Sequence, residues 1–266
     1  LTNCFLIKNM RFIILGCGSS MGVPRPDGFF GDCNPKNKKN FRSRCSAFIT
    51  SKYENILIDT SPDLREQLLR NNIRHIDRVL YTHQHGDQTH GINDLRVFYL
   101  KNRKKVPLYA DKKTIKYLKD NFSYCFKYNS VKPKSLDYPA TLKLNALKKI
   151  HNFSNIKIQS VKVNHGNIDS ICYIINNKCA YASDVKFFYK NTIHLLKNMK
   201  YLVVDCLRYT PHPSHFNLDE LSDFINIIKP KRTILTNLST QMDYGQLKKK
   251  LPKNIIPAYD GFEINL

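Results

Sequence analysis

Apolar and polar positions alternate along this chain in short runs, and most of those runs are strand-sized. Residues 11–18 read as a strand ending in a Gly/Ser turn. Residues 45–50 and 55–59, rich in Ile and broken by polar residues 52–54, read as a hairpin. Further strands are expected at 78–82, 106–110, 156–163, 172–175, 179–182, 201–206, 233–236 and 255–259. Helical periodicity falls between them. Pro62 suits a first helical turn, and Leu64, Leu68 and Leu69 line one face of a helix running to about residue 71. Other helices are expected at about 90–101, 112–126, 218–228 and 243–251. Residues 127–149, with Pro133 and Pro139, are the least regular and are expected to form a surface lid or the rim of a cleft. No repeat, linker or low-complexity block interrupts the series, which predicts one layered α/β domain.

Length and composition narrow this picture. The 266 residues are 42% hydrophobic and 11% aromatic, enough for a real core. No apolar run approaches the roughly 18 residues needed to cross a bilayer, so a membrane-spanning chain is excluded. The opening LTNCFLIKNM lacks the basic start, apolar centre and cleavage site of a signal peptide. Residues 1–9 are therefore expected to be an extension outside the fold, with the domain occupying 10–266.

The eight cysteines are irregularly spaced and contain no C-x-x-C pair. Cys172, Cys179 and Cys206 sit in apolar runs, where Cys behaves as a small buried hydrophobe. A reducing cytoplasm fits better than a disulfide framework. Cys33 and Cys45 share a loop region and are the only two placed to contribute to a structural metal site.

Charge adds an ambiguous signal. With 43 Lys+Arg against 21 Asp+Glu the formal net charge is +22. Clustered cations would imply a polyanion partner. Here they scatter (Lys36, Lys38 and Lys39; Lys101 to Lys105; Lys248 to Lys250) and do not interleave with aromatics as a stacking platform would. Nucleic acid is thus not the favoured partner. The field is expected to serve a narrower purpose, drawing a small anionic ester towards a cleft.

The chemistry concentrates after strands. His83, His85 and Asp87 lie within five residues of one another, just past a strand. Alternate positions in extended chain project to one side, so the two imidazoles can converge on an ion. Imidazole and carboxylate suit zinc, and with little sulfur also manganese. A lone His is more often an ordinary core or surface residue, but this grouping reverses those odds. His165 and Asp184 each follow another expected strand, and His212 and His215 follow the one ending near Cys206. Strand-end loops are where rigid sheets place functional groups.

This ordered set resembles the metallo-β-lactamase superfamily over nearly the whole chain from Arg11, and more narrowly its phosphodiesterase branch of PhnP-like and ribonuclease Z-like enzymes. The supporting residues are the Gly16–Pro24 loop (GCGSSMGVP), Asp59, the His83 loop, and His215 followed by Phe216, Asn217, Leu218, Asp219 and Glu220. The resemblance implies a four-layer αββα sandwich of two mixed sheets flanked by helices. It implies one metal site on His83, His85 and His165, with Asp184 bridging to a second metal. Asp87 would bind that second metal and orient the attacking water, and His215 would protonate the leaving oxygen.

Two departures from the family pattern stand out. Gln88 and Asn237 occupy positions where imidazoles are usual, both at the second site. Their neutral carbonyl oxygens are weaker ligands for zinc and more tolerant of harder ions. One or two Zn2+ or Mn2+ ions per chain are therefore expected. If the second site is empty, His212, His215 or Arg44 is expected to take over part of the charge stabilisation. His90 is expected either to touch substrate or the metal ligands, or merely to pack at a helix start. Asp59 is expected to orient a ligand histidine from behind.

The expected activity is metal-dependent hydrolysis of a small cyclic or nucleotide-like phosphodiester. Hydrolysis of a thioester or lactone, an oxidative role like that of a relative in quinone-cofactor biosynthesis, and a one-metal nucleotide-binding module are the alternatives. The oligomeric state is left open, with a dimer among the options.

Overall fold

The computed structural model describes residues 10–127 and 139–266. Residues 1–9, expected as an extension, and Pro133, expected in an irregular rim, lie outside them. In chain order the strands and helices are β1 (Arg11–Gly16), β2 (Ser46–Thr50), β3 (Asn55–Ile58), α1 (Leu64–Arg70), β4 (Arg78–Leu80), α2 (Gly86–Thr89), α3 (Arg96–Asn102), β5 (Val106–Ala110), α4 (Lys112–Asn121), β6 (Leu142–Ala146), β7 (Ile150–Phe153) and β8 (Ile156–His165). They continue with β9 (Ile168–Ile175), β10 (Cys179–Ala182), β11 (Phe187–Phe188), β12 (Tyr201–Asp205), α5 (Leu218–Ile228), β13 (Arg232–Thr236), α6 (Tyr244–Lys250), β14 (Ile255–Pro257) and β15 (Phe262–Asn265).

Two mixed sheets result. The first runs β15-β1-β2-β3-β4-β5-β6, antiparallel as far as β3 and parallel beyond it. The second runs β11-β8-β9-β10-β12-β13-β14, antiparallel to β10 and parallel beyond, with β7 paired to β8.

Period-two alternation decides the layers. In β1, Phe12 and Ile14 face the second sheet while Ile13 and Leu15 face the helices. In β12, Val203 faces inward while Leu202 and Val204 pack with α5 residues such as Leu221 and Ile225. The inner core thus joins Ile49, Ile58 and Leu80 of one sheet to Ile158, Tyr173 and Ile234 of the other. α1, α3 and α4 cover one outer face, and α5 and α6 the other. This is the expected αββα sandwich of two mixed sheets flanked by helices.

Several boundaries move for identifiable reasons. The single helix expected at 90–101 is broken. α2 stops at Thr89, a 3-10 turn spans Ile92–Leu95, and α3 begins at Arg96. The break is at Gly91, whose N–H donates to Thr60 O (2.9 Å) instead of continuing the helix. A Cβ at Gly91 would lie 2.0 Å from Ser61 O. Gly91→Ala should therefore force the backbone apart and destabilise the fold by about 1–3 kcal/mol or more, read as a lowered urea midpoint. A midpoint equal to that of the unaltered protein would show that this contact can relax.

Strand β6 replaces part of the irregular region expected at 127–149. Leu142 and Leu144 alternate there with Lys143 and Asn145, a period-two signal within a stretch otherwise broken by Pro133 and Pro139. Gly18 ends no strand; it makes isolated bridges to Arg44 and Leu238 instead.

Candidate metal centre

The parallel strands and β8 deliver their C-terminal ends to one edge of the sandwich, and the candidate residues stand there. β4 leads through Tyr81 and Thr82 into His83 and His85. β8 ends on His165, β10 is followed by Asp184, β12 ends on Asp205, and β13 is followed by Asn237. The two sheets are tied just behind this edge. Tyr173 Oη donates to Tyr81 O (2.6 Å), and Ile171 N donates to Thr82 O (3.1 Å).

Three imidazoles converge. His83 Nε2 lies 3.0 Å from His85 Nδ1, which lies 3.3 Å from His165 Nε2. Their outer nitrogens fix the tautomers. His165 Nδ1 donates to Ser214 O (2.8 Å), because a carbonyl can only accept. His83 Nδ1 contacts the Thr82 hydroxyl (3.0 Å), which itself donates to Asp59 Oδ2 (2.9 Å). Asp59 also accepts from Thr82 N (2.7 Å), so it orients His83 through Thr82 rather than by direct contact. The inward nitrogens of His83 and His165 therefore carry lone pairs.

Burial reinforces this. It pushes the His83 pKa down to about 3, and partial desolvation of the ring followed by the His165 charge lowers that of His85, although that residue is exposed overall, so both rings are neutral near pH 7. Zinc–nitrogen bonds of about 2.0–2.1 Å in a tetrahedron set ligands about 3.3 Å apart, close to the spacing seen. The donor set fits a divalent ion.

Beyond the three rings lies a group of acids. Asp87 is raised to about 6, first by burial and then by the neighbouring Asp184 charge. Burial would also raise Asp184, but His83, His165 and His215 outweigh it and hold that carboxyl low. His165, Asp184 and His215 offer ligand atoms within 4.8 Å of one another. His215 Nδ1 bonds Asp205 Oδ2 at 2.6 Å. Burial alone would lower the His215 pKa, yet Asp205 raises it to about 9, which keeps the ring protonated near neutral pH. The loop carrying His215 is clamped at both ends, by Leu207 N to Phe216 O (3.0 Å) and Phe216 N to Val185 O (2.9 Å). A capping box between Asn217 and Glu220 starts α5 directly after it.

Gln88 and Asn237 behave differently from carbonyl ligands. Their amide nitrogens face the acids. Gln88 Nε2 lies 3.4 Å from Asp87 Oδ2 and 3.2 Å from Asp184 Oδ2. Asn237 Nδ2 lies 3.4 Å from Asp184 Oδ1 and 3.2 Å from Asp205 Oδ1.

These side chains border a cleft of about 440 Å³, lined by His85, Asp87, His165, Asp184, His215 and Asn237 among others. His212 lines it too, its pKa lowered to about 4, chiefly by burial. Two residues expected near substrate do not line this cleft. Arg44 spends its fork on Asp63, through Nε (2.7 Å) and Nη2 (2.6 Å). His90 bonds Tyr117 Oη (3.0 Å) and packs edge-on against Phe122.

Two residues of the site escape the sequence reading, one buried behind His215 and one lining the cleft. Asp205 ends a strand as the other acids do, and that position was its available signal. Arg208 lines the cleft with its guanidinium bonded to Thr210 O (3.1 Å) and Pro211 O (2.6 Å); nothing in its local sequence marks it. Among the described residues no carboxylate pairs with it. Cys33 and Cys45 join no group of three metal-ligating side chains among the described residues.

Comparison with known proteins agrees with this architecture. A curated octanoyltransferase of Porphyromonas gingivalis (strain ATCC BAA-308 / W83) is 32% identical over 261 residues, 96% of this chain. The chain spans about half (51%) of that relative's length. The crystal structure of a new diphosphatase from the PhnP family superposes with a TM-score of 0.87 at 29% identity, covering 97% of each chain. Zinc-bound PqqB from Methylobacterium extorquens shares the fold, with a TM-score of 0.75 at 15% identity over 96% of this chain and 100% of that one. The model of the beta-lactamase superfamily domain matches residues 54–236, which contain every one of the converging histidines and acids. The chain belongs to the β-lactamase superfamily, as a hydrolase of the metallo-β-lactamase fold.

Proposed function

We propose that this protein is a metal-dependent phosphodiesterase acting on a small anionic phosphodiester. The observation that carries the reading is the meeting at one cleft of three converging imidazoles with a His215 whose Nδ1 is held by Asp205 at 2.6 Å. His83, His85 and His165, with Asp184 beside them, would hold the ion. A divalent ion there supplies Lewis acidity and lowers the pKa of water from 15.7 to about 7.

The chain's own residues supply the rest. Asp87 borders the cleft as an acceptor that orients water. His215, fixed by Asp205, aims its remaining N–H at the leaving oxygen. Arg208, pinned by two carbonyls, offers its other N–H groups to a phosphate oxygen. The likeness to the PhnP-family diphosphatase at 29% identity supports phosphoryl chemistry. The formal charge of +22 favours an anionic substrate.

The curated relative favours a second reading, an acyl ester or thioester substrate. Octanoyl transfer names a protein of which this chain spans 51%, which leaves ample length for that activity outside the matched half. We read residues 10–266 as one domain. No helix among the described residues is long and apolar enough to cross a membrane. The described cysteines are free and buried, which suits a reducing cytoplasm.

The test is a substrate panel with zinc- and manganese-loaded protein. Turnover of bis(p-nitrophenyl) phosphate and 2′,3′-cyclic nucleotides, abolished by a chelator and restored by the ion, is expected. Turnover of p-nitrophenyl octanoate with no phosphodiester turnover would replace this reading with the acyl one.

A further inference from the structure

We propose that this centre takes one divalent ion, because the side-chain amides of Gln88 and Asn237 stand where a second ion would be drawn in. The inference rests on the His83–His85–His165 group being an ion site. It does not depend on which ester is cleaved.

Three carboxylates, Asp87, Asp184 and Asp205, crowd the buried side of the cleft. Such a group needs positive charge or donors between its members. A second ion would be one solution. The structure holds another. Gln88 Nε2 bridges Asp87 and Asp184, and Asn237 Nδ2 bridges Asp184 and Asp205. Asp184 thus faces an amide N–H on each of its oxygens, and His215 completes the compensation at Asp205. Both amides are buried, Gln88 at 0% and Asn237 at 2% exposure, so packing holds them in place.

Carboxylates can only accept, which favours this amide orientation, with Asn237 Nδ2 also 3.1 Å from His215 Nδ1. It is adopted although it leaves Gln88 Oε1 buried with no partner. The reverse orientation would set two carbonyl dipoles against three acids.

The donor count points the same way. His165 Nδ1 is committed to Ser214 O, so its single inward nitrogen serves one ion, and that nitrogen already neighbours His85. His215 Nδ1 is committed to Asp205. A second position would then draw on Asp87, a shared Asp184 and the remaining Nε2 of His215, with no carbonyl oxygen from either amide turned towards those acids.

Counting ions tests this without any substrate. Protein dialysed against zinc, and separately against manganese, should hold about one ion per chain by elemental analysis. The double substitution Gln88→His with Asn237→His restores two imidazole ligands and should raise the count to about two. Asn237→Asp is nearly isosteric, removes the N–H donor and adds charge. It should move the count in the same direction and covers the case in which the double variant fails to fold. Two ions in the unaltered protein would overturn the proposal. So would a count that stays at one in every folded variant, since the amides would then not be what excludes the second ion. No bound ion at all would overturn the ion-site reading and this inference with it.

Discussion

His85→Ala should remove the bound ion and the activity together while leaving the fold intact. Each of the three converging imidazoles has a different structural burden. His83 is 1% exposed and held from behind by Thr82 and Asp59, so its loss also opens a buried gap. His165 ties β8 to Ser214 and the loop that carries His215. His85 is exposed, and its ring contacts are with the other two histidines. Its truncation should therefore change the stability of the metal-free protein by less than about 0.5 kcal/mol, as exposed substitutions usually do. One of the three imidazole donors is lost, and with it the converging nitrogen set that fits the ion.

Ion content by elemental analysis should fall to near zero. Turnover should fall more than about a thousandfold, because water's pKa near 7 is what makes a nucleophile available at neutral pH. A variant that keeps its ion would show that another atom, not His85 Nδ1, completes the site.

That His85 is identifiable at all reflects how local its signal is. Two histidines and an aspartate within five residues survive any error in the surrounding boundaries. A layered α/β domain was legible in the strand-sized apolar runs, whereas the αββα sandwich came from the resemblance that the His83 loop and its companions carry. Runs such as those of β1 and β12 are apolar through their centres, and period two assigns Phe12 and Ile14 to one layer and Ile13 and Leu15 to the other.

What escaped depends on long-range geometry. β6 and the edge strand β15 are short, at five and four residues, and are held by pairing with strands distant in sequence. The break at Gly91 is set by Thr60 and Ser61, thirty residues away. Arg44 looked available for phosphate until Asp63 claimed it, and His90 until Tyr117 did. Gln88 and Asn237 were visible as departures. Whether their amides present oxygen or nitrogen is decided by three acids drawn from three different strand ends.

His215→Ala should separate proton donation from ion binding. The ring is anchored by Asp205 at 2.6 Å, which leaves Nε2 as the nitrogen able to donate, and Asp205 raises the pKa to about 9 against the pull of burial. A donor protonated at neutral pH and placed beside His165 and Asp184, the ligands proposed for the ion, is suited to neutralise a leaving alkoxide. General-acid help of this kind is worth about 100- to 10,000-fold.

The loss should appear in kcat, with the ion retained, and should be large for 2′,3′-cyclic nucleotides, whose leaving group is an alkoxide. It should be much smaller for bis(p-nitrophenyl) phosphate, whose nitrophenolate departs without a proton. Asp205→Asn, which keeps a hydrogen bond but removes the charge that sustains the imidazolium, should show the same leaving-group pattern in weaker form. An equal loss on both substrates would make His215 a binding residue instead. Loss of the ion would make it a ligand, and Asp205 would then be orienting that ligand rather than a proton donor.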